Sequence, residues 1–223
     1  MILIESYAND VVGWEHAVRG MRNPLNSWGK SDSWRGCDTG YCYPECGCEC
    51  KDECKYMVGG NDLDLMHRLR NAGTDHRKFM RMLIVYVDIT APLYWWKEFD
   101  TYKVGTVANS CSTMHKIHAK EFTLDDFSHE HLIEPAEKAF ESLVNILNTS
   151  RTAFIETKDK SWWWQMIQLL PTSYNQKRTV MLNYEVLTNI YKSRKNHKLD
   201  EWHEFCHWIE ELPYSELITG EGG

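Results

Sequence analysis

The stretch that most constrains the fold runs from residue 88 to residue 115. Its beginning is rich in apolar residues and predicts a buried strand or helix, and Trp95 and Trp96 then stand next to Lys97. The small polar residues 109–113 come near its end. Aromatic walls beside lysines and hydroxyl groups suit a pocket for a planar, phosphorylated ligand. The same residues also occur in ordinary core segments, so the stretch alone leaves both interpretations open.

The composition predicts one globular domain that spans residues 1–223. Hydrophobic residues make up 43% and charged residues 26% of the chain, which is long enough to bury a core. The formal net charge of −7 argues against a nucleic-acid binder, which needs a basic face for phosphates. The sequence has no apolar run of about 18 residues, the length that could span a membrane. It also begins without the basic stretch followed by an apolar stretch that is typical of a secretory leader. We therefore expect a soluble cytoplasmic protein without membrane or nucleic-acid partners.

Six cysteines crowd into a segment from about residue 36 to 60 that is poor in aliphatic residues and predicts a loop or inserted finger. They are Cys37, Cys42, Cys46, Cys48, Cys50 and Cys54. A structural zinc site is one interpretation, because thiolates bind zinc tightly and the cytosol keeps thiols reduced. The spacing lacks paired Cys-x2-Cys units, so free thiols in a mobile loop and disulfides are alternatives.

Hydrophobic periodicity and capping residues predict several helices and a short first strand. The predicted elements are a strand at 2–6, a helix after Asn9-Asp10, a helix from Asn61-Asp62 to Ala72-Gly73, helices at 130–149 and 151–169, and a helical run from Thr179 to Glu210 interrupted at 196–198. Pro171 ends the helix before the last run, because proline cannot continue a helix.

The order of these parts resembles the flavin-dependent thymidylate synthases along nearly the whole chain. Ala17-Val18-Arg19 resembles the family's Ala-x-Arg, and a helix ends at Ala72-Gly73 where the family has Gly-His. A central apolar stretch leads into the expected nucleotide-binding motif, and Leu170-Pro171 resembles a C-terminal Leu-Pro. The counterparts of the family's Asn-Leu-Arg, Arg-ending turn and Glu-Ile-Arg are Asn183-Tyr184-Glu185, Arg194 and Glu201-Trp202-His203.

The sequence departs from the family at its charged positions. The signature Arg-His-Arg-x-x-Ser-x-Asn-x-x-Ser-x-Arg would fall within residues 97–115, where the paired arginines are absent and a Ser/Asn-rich tail remains. The Gly-His step reads Gly73-Thr74, with His76 two residues late, and His203 replaces the arginine of Glu-Ile-Arg. The chain therefore resembles a divergent member of the family, one that lacks the Arg-His-Arg signature.

The resemblance implies an α+β fold with a small, mostly antiparallel central sheet packed with several long helices. It also implies methylation of dUMP to dTMP or a related change to a pyrimidine nucleotide. Reduced FAD would supply hydride, methylenetetrahydrofolate the carbon, and NADPH would recharge the flavin. The family builds each site from several subunits, so a homotetramer is expected. The alternative is a non-catalytic relative that keeps the fold and binds a nucleotide, a metal or a protein partner.

The resemblance also implies which residues form the site. His76 or His203 would polarise the pyrimidine. The cofactor-binding residues would be Arg81, Trp96, Lys97, Tyr102, Lys103, Asn109, Ser110 and Ser112, as phosphate holders, ring walls and hydrogen-bond partners. The substrate-binding residues would be Arg19, Arg22, Asn183 and Arg194. Arg19 and Arg22 also suit a phosphate because they lie in a turn-prone stretch, although solvated surface arginines show the same pattern.

Overall fold

The computed structural model describes residues 1–6, 11–37, 40–41 and 55–220. Its strands are β1 Leu3–Glu5, β2 Val11–Val12, β3 Trp34–Cys37, β4 Gly40–Tyr41, β5 Lys55–Met57, β6 Ile84–Pro92, β7 Val107–Ser110 and β8 Asn175–Asn183. Its α-helices are α1 Trp14–Arg22, α2 Gly60–Asn71, α3 Leu93–Phe99, α4 Glu134–Thr157, α5 Lys160–Leu169, α6 Tyr184–Arg194, α7 Asp200–Glu210 and α8 Glu216–Thr219. No helix within these ranges is long and apolar enough to cross a membrane.

A central antiparallel sheet organises the fold. Its strand order is β1-β6-β8-β7, and β2 also pairs with β6. Strands β6 and β8 pair along their whole length, from Ile84 opposite Asn183 to Pro92 opposite Asn175. The apolar side chains of these two strands that alternate towards the core are Val85, Val87, Ile89, Ala91, Val180 and Leu182. A second, small sheet has the order β4-β3-β5. The predicted α+β class with an antiparallel central sheet is confirmed.

Strand β8 corrects the helical run that the sequence predicts from Thr179. Val180 and Leu182 are buried and alternate with the exposed Thr179 and the half-buried Met181, which is the period of a strand. Over so short a run the same apolar residues also fit a helical stripe, and pairing with β6 decides the outcome. Helix α6 begins at Tyr184, and the predicted break at 196–198 does separate α6 from α7.

Helices α4 and α5 confirm two predicted helices but move the boundary between them. The prediction places it near residue 150, whereas α4 continues to Thr157 and Lys158, with φ 58°, ends it. The hydroxyls of Thr149 and Ser150 donate to carbonyls one turn earlier, so these polar residues lie within the helix without breaking it. The side chain of Asp159 caps α5 by accepting a hydrogen bond from the backbone N–H of Ser161 at 2.9 Å.

Helix α1 begins later than the sequence predicts. Val11–Val12 forms β2, and Asn9 and Asp10 lie outside the described residues. Gly13 makes the turn between strand and helix with φ +98°, where a Cβ would lie only 2.0 Å from the carbonyl oxygen of Met82. Glycine is therefore needed at this turn for both its backbone conformation and its lack of a side chain.

Among the described residues, buried apolar side chains form a main and a smaller hydrophobic core. The main core contains the buried face of the sheet, and its centre is aromatic, with the ring of Trp95 lying 4.7 Å from Trp202 and 5.1 Å from Phe99 between centroids. The smaller core joins α4 and α5 to the segment after β7 through Phe122 and Leu147. The small core therefore holds the polypeptide that leaves β7 close to the end of the sheet.

Candidate functional site

A cleft opens where β6 and β8 meet the segment that follows β7. Its volume is about 480 Å³, within the roughly 300–1,000 Å³ of small-molecule sites. Thr90 and Lys177 lie opposite each other in the sheet, and the backbone N–H of Cys111 donates to the carbonyl of Lys177 at 2.9 Å. Ser112 and Lys116 line the same cleft. The end of the 88–115 stretch therefore forms one of its walls.

Two carboxylates offset the positive charge of Lys177. Its Nζ lies 2.6 Å from a carboxylate oxygen of Glu5 and 3.1 Å from one of Asp88. These hydrogen bonds raise the pKa of Lys177 to about 12. The hydroxyl of Thr179, at 2.6 Å, and Lys177 in turn hold the pKa of Asp88 below its ordinary value. The ammonium group of Lys177 stays charged, but its field is largely cancelled by its neighbours.

Two further lysines line the cleft and differ in their surroundings. Lys120 pairs with Asp126, and this hydrogen bond raises the pKa of Lys120. Lys116 is exposed and has no ion pair within the described ranges. Lys116 is therefore the cleft lysine best placed to meet an anionic ligand.

The outer face of the sheet carries a row of polar residues that crosses four strands. Glu5, Asp88, Thr179 and Asn109 lie opposite one another in register, so their side chains share one face. The neighbouring Tyr86 on this outer face is 45% exposed. The described helices leave this part of the outer face accessible, next to the cleft.

Comparisons with known proteins give the fold a precedent. No protein-family model and no curated protein sequence matches the chain. Among solved structures, the chain is similar to thymidylate synthase X from Helicobacter pylori with FAD and dUMP, with a TM-score of 0.65 at 17% identity over 99% of this chain and 98% of that one. A second structure, of the flavin-dependent thymidylate synthase from Helicobacter pylori complexed with FAD and dUMP, gives a TM-score of 0.65 at 17% identity over 98% and 97%.

A third structure, the UMP/dUMP methylase PolB from Streptomyces cacaoi bound with 5-Br dUMP, gives a TM-score of 0.58 at 12% identity over 99% of this chain and 95% of that one. The chain has the flavin-dependent thymidylate synthase fold. A fold can host several activities, so the ligand has to be argued from the residues of the site.

On the flavin-dependent thymidylate synthase fold, the predicted residues Asn109, Ser110 and Ser112 fall at three different places. Ser112 lines the cleft. Asn109 lies opposite Thr179 on the outer face, whereas Ser110 lies opposite Arg178 and faces the other side. Alternation along β7 therefore prevents Asn109 and Ser110 from sharing a ligand on one face of the sheet.

Trp96 lies in the core. Its side chain is fully buried, and its indole N–H donates to the carbonyl of Gln176 at 2.8 Å. The guanidinium group of Arg178 lies 4.2 Å from the ring centroid on one side. We therefore withdraw Trp96 as a wall for flavin or base, because both its ring and its donor are used by the protein.

The fold does bring together two predicted residues, Arg194 and Tyr102. The Nε of Arg194 donates to the Tyr102 hydroxyl at 3.1 Å, and its Nη1 donates to Glu98 at 2.8 Å. Trp202 also donates to Glu98, at 2.9 Å, and its ring lies 4.7 Å from the guanidinium. Arg194 thus has an internal counter-ion, and its role with substrate remains a prediction.

Arg22 is used inside the protein. It is 4% exposed, and its Nε lies 2.5 Å from a carboxylate oxygen of Asp62. Burial would raise the pKa of Asp62, but hydrogen bonds from Ser31, Ser33 and Arg22 hold it below its ordinary value. We therefore leave Arg22 out of the proposed site. Arg19 is exposed and lines a separate cavity of about 280 Å³.

Asn183 is buried and caps helix α6. Its side-chain oxygen accepts a hydrogen bond from the backbone N–H of Val186 at 3.0 Å. Gly105, with φ +80°, packs against it so closely that a Cβ would lie 2.8 Å from the Asn183 amide nitrogen. This structural role accounts for an asparagine here, and binding of substrate by Asn183 remains a prediction.

Several predicted residues are exposed and do not line the cleft in the described structure. They are His76, Arg81, Lys97, Lys103 and His203. The ring nitrogen Nε2 of His203 lies 2.6 Å from the carbonyl oxygen of His197. Their roles in the site remain predictions.

The predicted zinc ligands fall mostly outside the described residues. Cys37 ends β3, and nothing is described of its side chain or of the five other cysteines. In the ranges that are described, no group of three or more His, Cys, Asp or Glu residues could hold a metal ion. The zinc site remains a prediction.

The sequence reading missed the residues of β8 that face the site. Gln176 and Lys177 line the cleft, and Arg178 stacks on Trp96. Reading residues from 179 onward as a helix hid the strand alternation that places them. Lys116 was missed for another reason, because it follows β7 in a segment without helical or strand periodicity.

Proposed function

We propose that the chain is a divergent member of the flavin-dependent thymidylate synthase family that binds FAD and a dUMP-like nucleotide. The observation that carries the proposal is the cleft at residues 111–120, in a fold similar over almost its full length to a protein solved with FAD and dUMP. The proposed reaction is methylation of dUMP to dTMP with methylenetetrahydrofolate and NADPH, or a related change to a pyrimidine nucleotide. We further propose that the chain forms a homotetramer in the cytoplasm.

The donors and acceptors of the cleft suit a pyrimidine nucleotide. Lys116 and the hydroxyls of Ser112 and Thr113 offer donors for a phosphate. The side-chain oxygen of Asn175 is buried and accepts no hydrogen bond within the described structure. Such an acceptor matches the ring N–H of uracil, and the ring of Tyr174 adds an aromatic wall.

FAD needs more room than this cleft offers beside a nucleotide, because it joins two ring systems through a pyrophosphate. The outer face continues from the cleft and offers the exposed ring of Tyr86 and the amide of Asn109. These groups fit an aromatic ring with a polar edge, and a neighbouring subunit would cover them. When bound, FAD supplies the hydride for the methylation. The residues of this chain bind and orient the nucleotide beside it.

A catalytic assay tests the reaction. The purified chain with FAD, dUMP, methylenetetrahydrofolate and NADPH is expected to form dTMP, detected by chromatography and mass spectrometry. A control without dUMP reports whether NADPH alone reduces the flavin. Absence of dTMP and of flavin reduction, in a protein that is folded and loaded with FAD, would overturn the enzymatic proposal.

The second candidate is a non-catalytic relative that binds a nucleotide. Cancellation of the charge of Lys177 by Glu5 and Asp88 favours it, because the cleft then lacks the strong positive field expected of paired arginines. This candidate predicts that dUMP raises the melting temperature while neither dTMP nor reduced flavin forms.

A further inference from the structure

Gln176 links two parts of the structure through its side-chain amide. It lies on β8, is 7% exposed, and lines the cleft. Its Oε1 accepts a hydrogen bond from the Nε of Arg178 at 3.0 Å, and its Nε2 donates to the carbonyl of Cys111 at 2.7 Å. A guanidinium group only donates, so Arg178 requires the oxygen of the amide to face it. The NH₂ group is thereby directed at Cys111.

Arg178 is itself held on two sides. Its side chain is 14% exposed, and its Nη1 donates to Asp100 at 2.7 Å. The guanidinium lies 4.2 Å from the ring centroid of Trp96. The indole N–H of Trp96 donates to the backbone carbonyl of Gln176 at 2.8 Å. Trp96, in the middle of α3, and Asp100, directly after it, therefore fix the position from which Arg178 orients Gln176.

Cys111 is the last position that the sheet holds before the wall of the cleft. Its N–H donates to the carbonyl of Lys177 at 2.9 Å, and its carbonyl accepts from Gln176. The hydroxyl oxygen of the next residue, Ser112, accepts a hydrogen bond from the backbone N–H of His115 at 2.9 Å, and this bond forms a turn. Lys116 follows this turn directly. The direction of the chain at Cys111 therefore determines where the hydroxyl of Ser112 and the ammonium of Lys116 lie.

We propose that Asp100, Arg178 and Gln176 are positioning residues that hold residues 111–116 in the geometry that binds a phosphorylated ligand. None of the three needs to touch the phosphate, because they act through the carbonyl of Cys111. The ligand part of this inference rests on the proposed nucleotide binding. The ordering of residues 111–116 does not depend on it.

Gln176→Glu separates positioning from general stability. The glutamate keeps an acceptor for Arg178, and forms an ion pair with it, but it presents a second acceptor to the carbonyl of Cys111 in place of a donor. Gln165→Glu is the matched control, because Gln165 is exposed on α5 and also donates to a backbone carbonyl, that of Ser161, at 3.4 Å. Asp100→Ala is a second variant at a half-exposed side chain, which removes the anchor of Arg178.

The experiment measures amide hydrogen exchange by mass spectrometry on a peptide that spans residues 111–116, together with dUMP affinity by calorimetry. Gln176→Glu is expected to speed exchange in this peptide and to weaken dUMP binding about tenfold. Asp100→Ala should show a smaller change of the same kind, and Gln165→Glu none. The melting temperature shows whether each variant remains folded.

Unchanged exchange in residues 111–116 in a folded Gln176→Glu would overturn the inference, and so would a similar loss of protection in every peptide. If Gln176→Glu does not fold, the same two results in a folded Asp100→Ala variant would overturn the inference. A wild-type chain that does not bind dUMP would contradict the proposed nucleotide binding, while hydrogen exchange would still test the positioning.

Discussion

Lys116 and Lys177 line the same cleft but offer different charges to a ligand. Lys177 lies between Glu5 and Asp88, so a phosphate there would compete with two carboxylates. Lys116 has no ion pair in the described part of the chain. Hydrogen bonds from a charged donor are stronger than neutral ones, and no carboxylate among the described residues offsets the charge of Lys116. We therefore expect Lys116 to contribute more to anion binding than Lys177 does.

Lys116→Ala is therefore expected to weaken dUMP binding by roughly 1.5–3 kcal/mol, the range for a hydrogen bond to a charged group. Calorimetric titration measures it. Lys103→Ala is the matched control, because Lys103 is an exposed lysine that does not line the cleft. The sequence predicts a phosphate role for Lys103 instead. A loss of affinity in Lys103→Ala and none in Lys116→Ala would favour that sequence-based prediction.

Arg22 and Asp62 form a buried ion pair whose role is stability. Asp62→Asn would leave the guanidinium of Arg22 buried without a counter-ion, so we expect the free energy of unfolding to fall by about 3–5 kcal/mol. Urea unfolding at neutral pH measures it. Asp64→Asn, at an exposed position on the same helix, is the control and should change little.

The same pair predicts a pH dependence. The pKa of Asp62 is lower in the folded chain than in the unfolded one, so its stabilisation is complete above about pH 4 and is lost as the pH falls through the folded value. The difference in stability between wild type and Asp62→Asn should therefore shrink at low pH. A difference that stays constant down to the acid unfolding of the protein would contradict this assignment.

Single residues show why the sequence could not identify the whole site. Arginines and tryptophans serve equally in ligand sites and in internal contacts, and Arg22 and Trp96 turn out to be internal. Their partners Asp62 and Gln176 lie 40 and 80 positions away along the chain. Local pattern alone cannot reveal such partners, because they depend on the tertiary fold.

At the scale of elements, the junction of β8 with α6 shows what periodicity can and cannot predict. The sequence predicts α2 and α7, although α2 begins at Gly60, ahead of the predicted cap at Asn61-Asp62, and α7 is separated from α6 by the predicted break at 196–198. Strand β8 was mistaken for helix because its apolar residues are few and its identity depends on pairing with β6. The error matters for function, because Gln176, Lys177 and Arg178 all lie on this strand.

Asn183 at that junction gives a prediction about the helix start. Asn183→Ala removes the cap of α6 and should cost about 0.5–2 kcal/mol of stability, whereas Asn183→Asp retains an acceptor and should cost less. Thermal or urea unfolding compares the two. If Asn183 acts only as a cap, Asn183→Asp leaves dUMP affinity unchanged. A folded Asn183→Asp variant that loses dUMP binding would instead support the predicted contact with substrate.

At the scale of the whole molecule, the resemblance read from motif order agrees with the structure. The α+β fold with its antiparallel sheet is similar to flavin-dependent thymidylate synthases over nearly all of the chain. Motif order survives divergence because it follows the order of the elements, while individual charged residues can change. The absent paired arginines leave a cleft with one uncompensated lysine, so the fold is better predicted than its chemistry.

The most direct test of the central claim is the absorbance spectrum of the purified chain, recorded with added FAD and then during titration with dUMP. The account predicts a protein-bound flavin band in the blue that remains after gel filtration and changes when dUMP is added. It also predicts a higher melting temperature with either ligand. A folded chain that stays colourless and gains no thermal stability from FAD or dUMP would contradict the account.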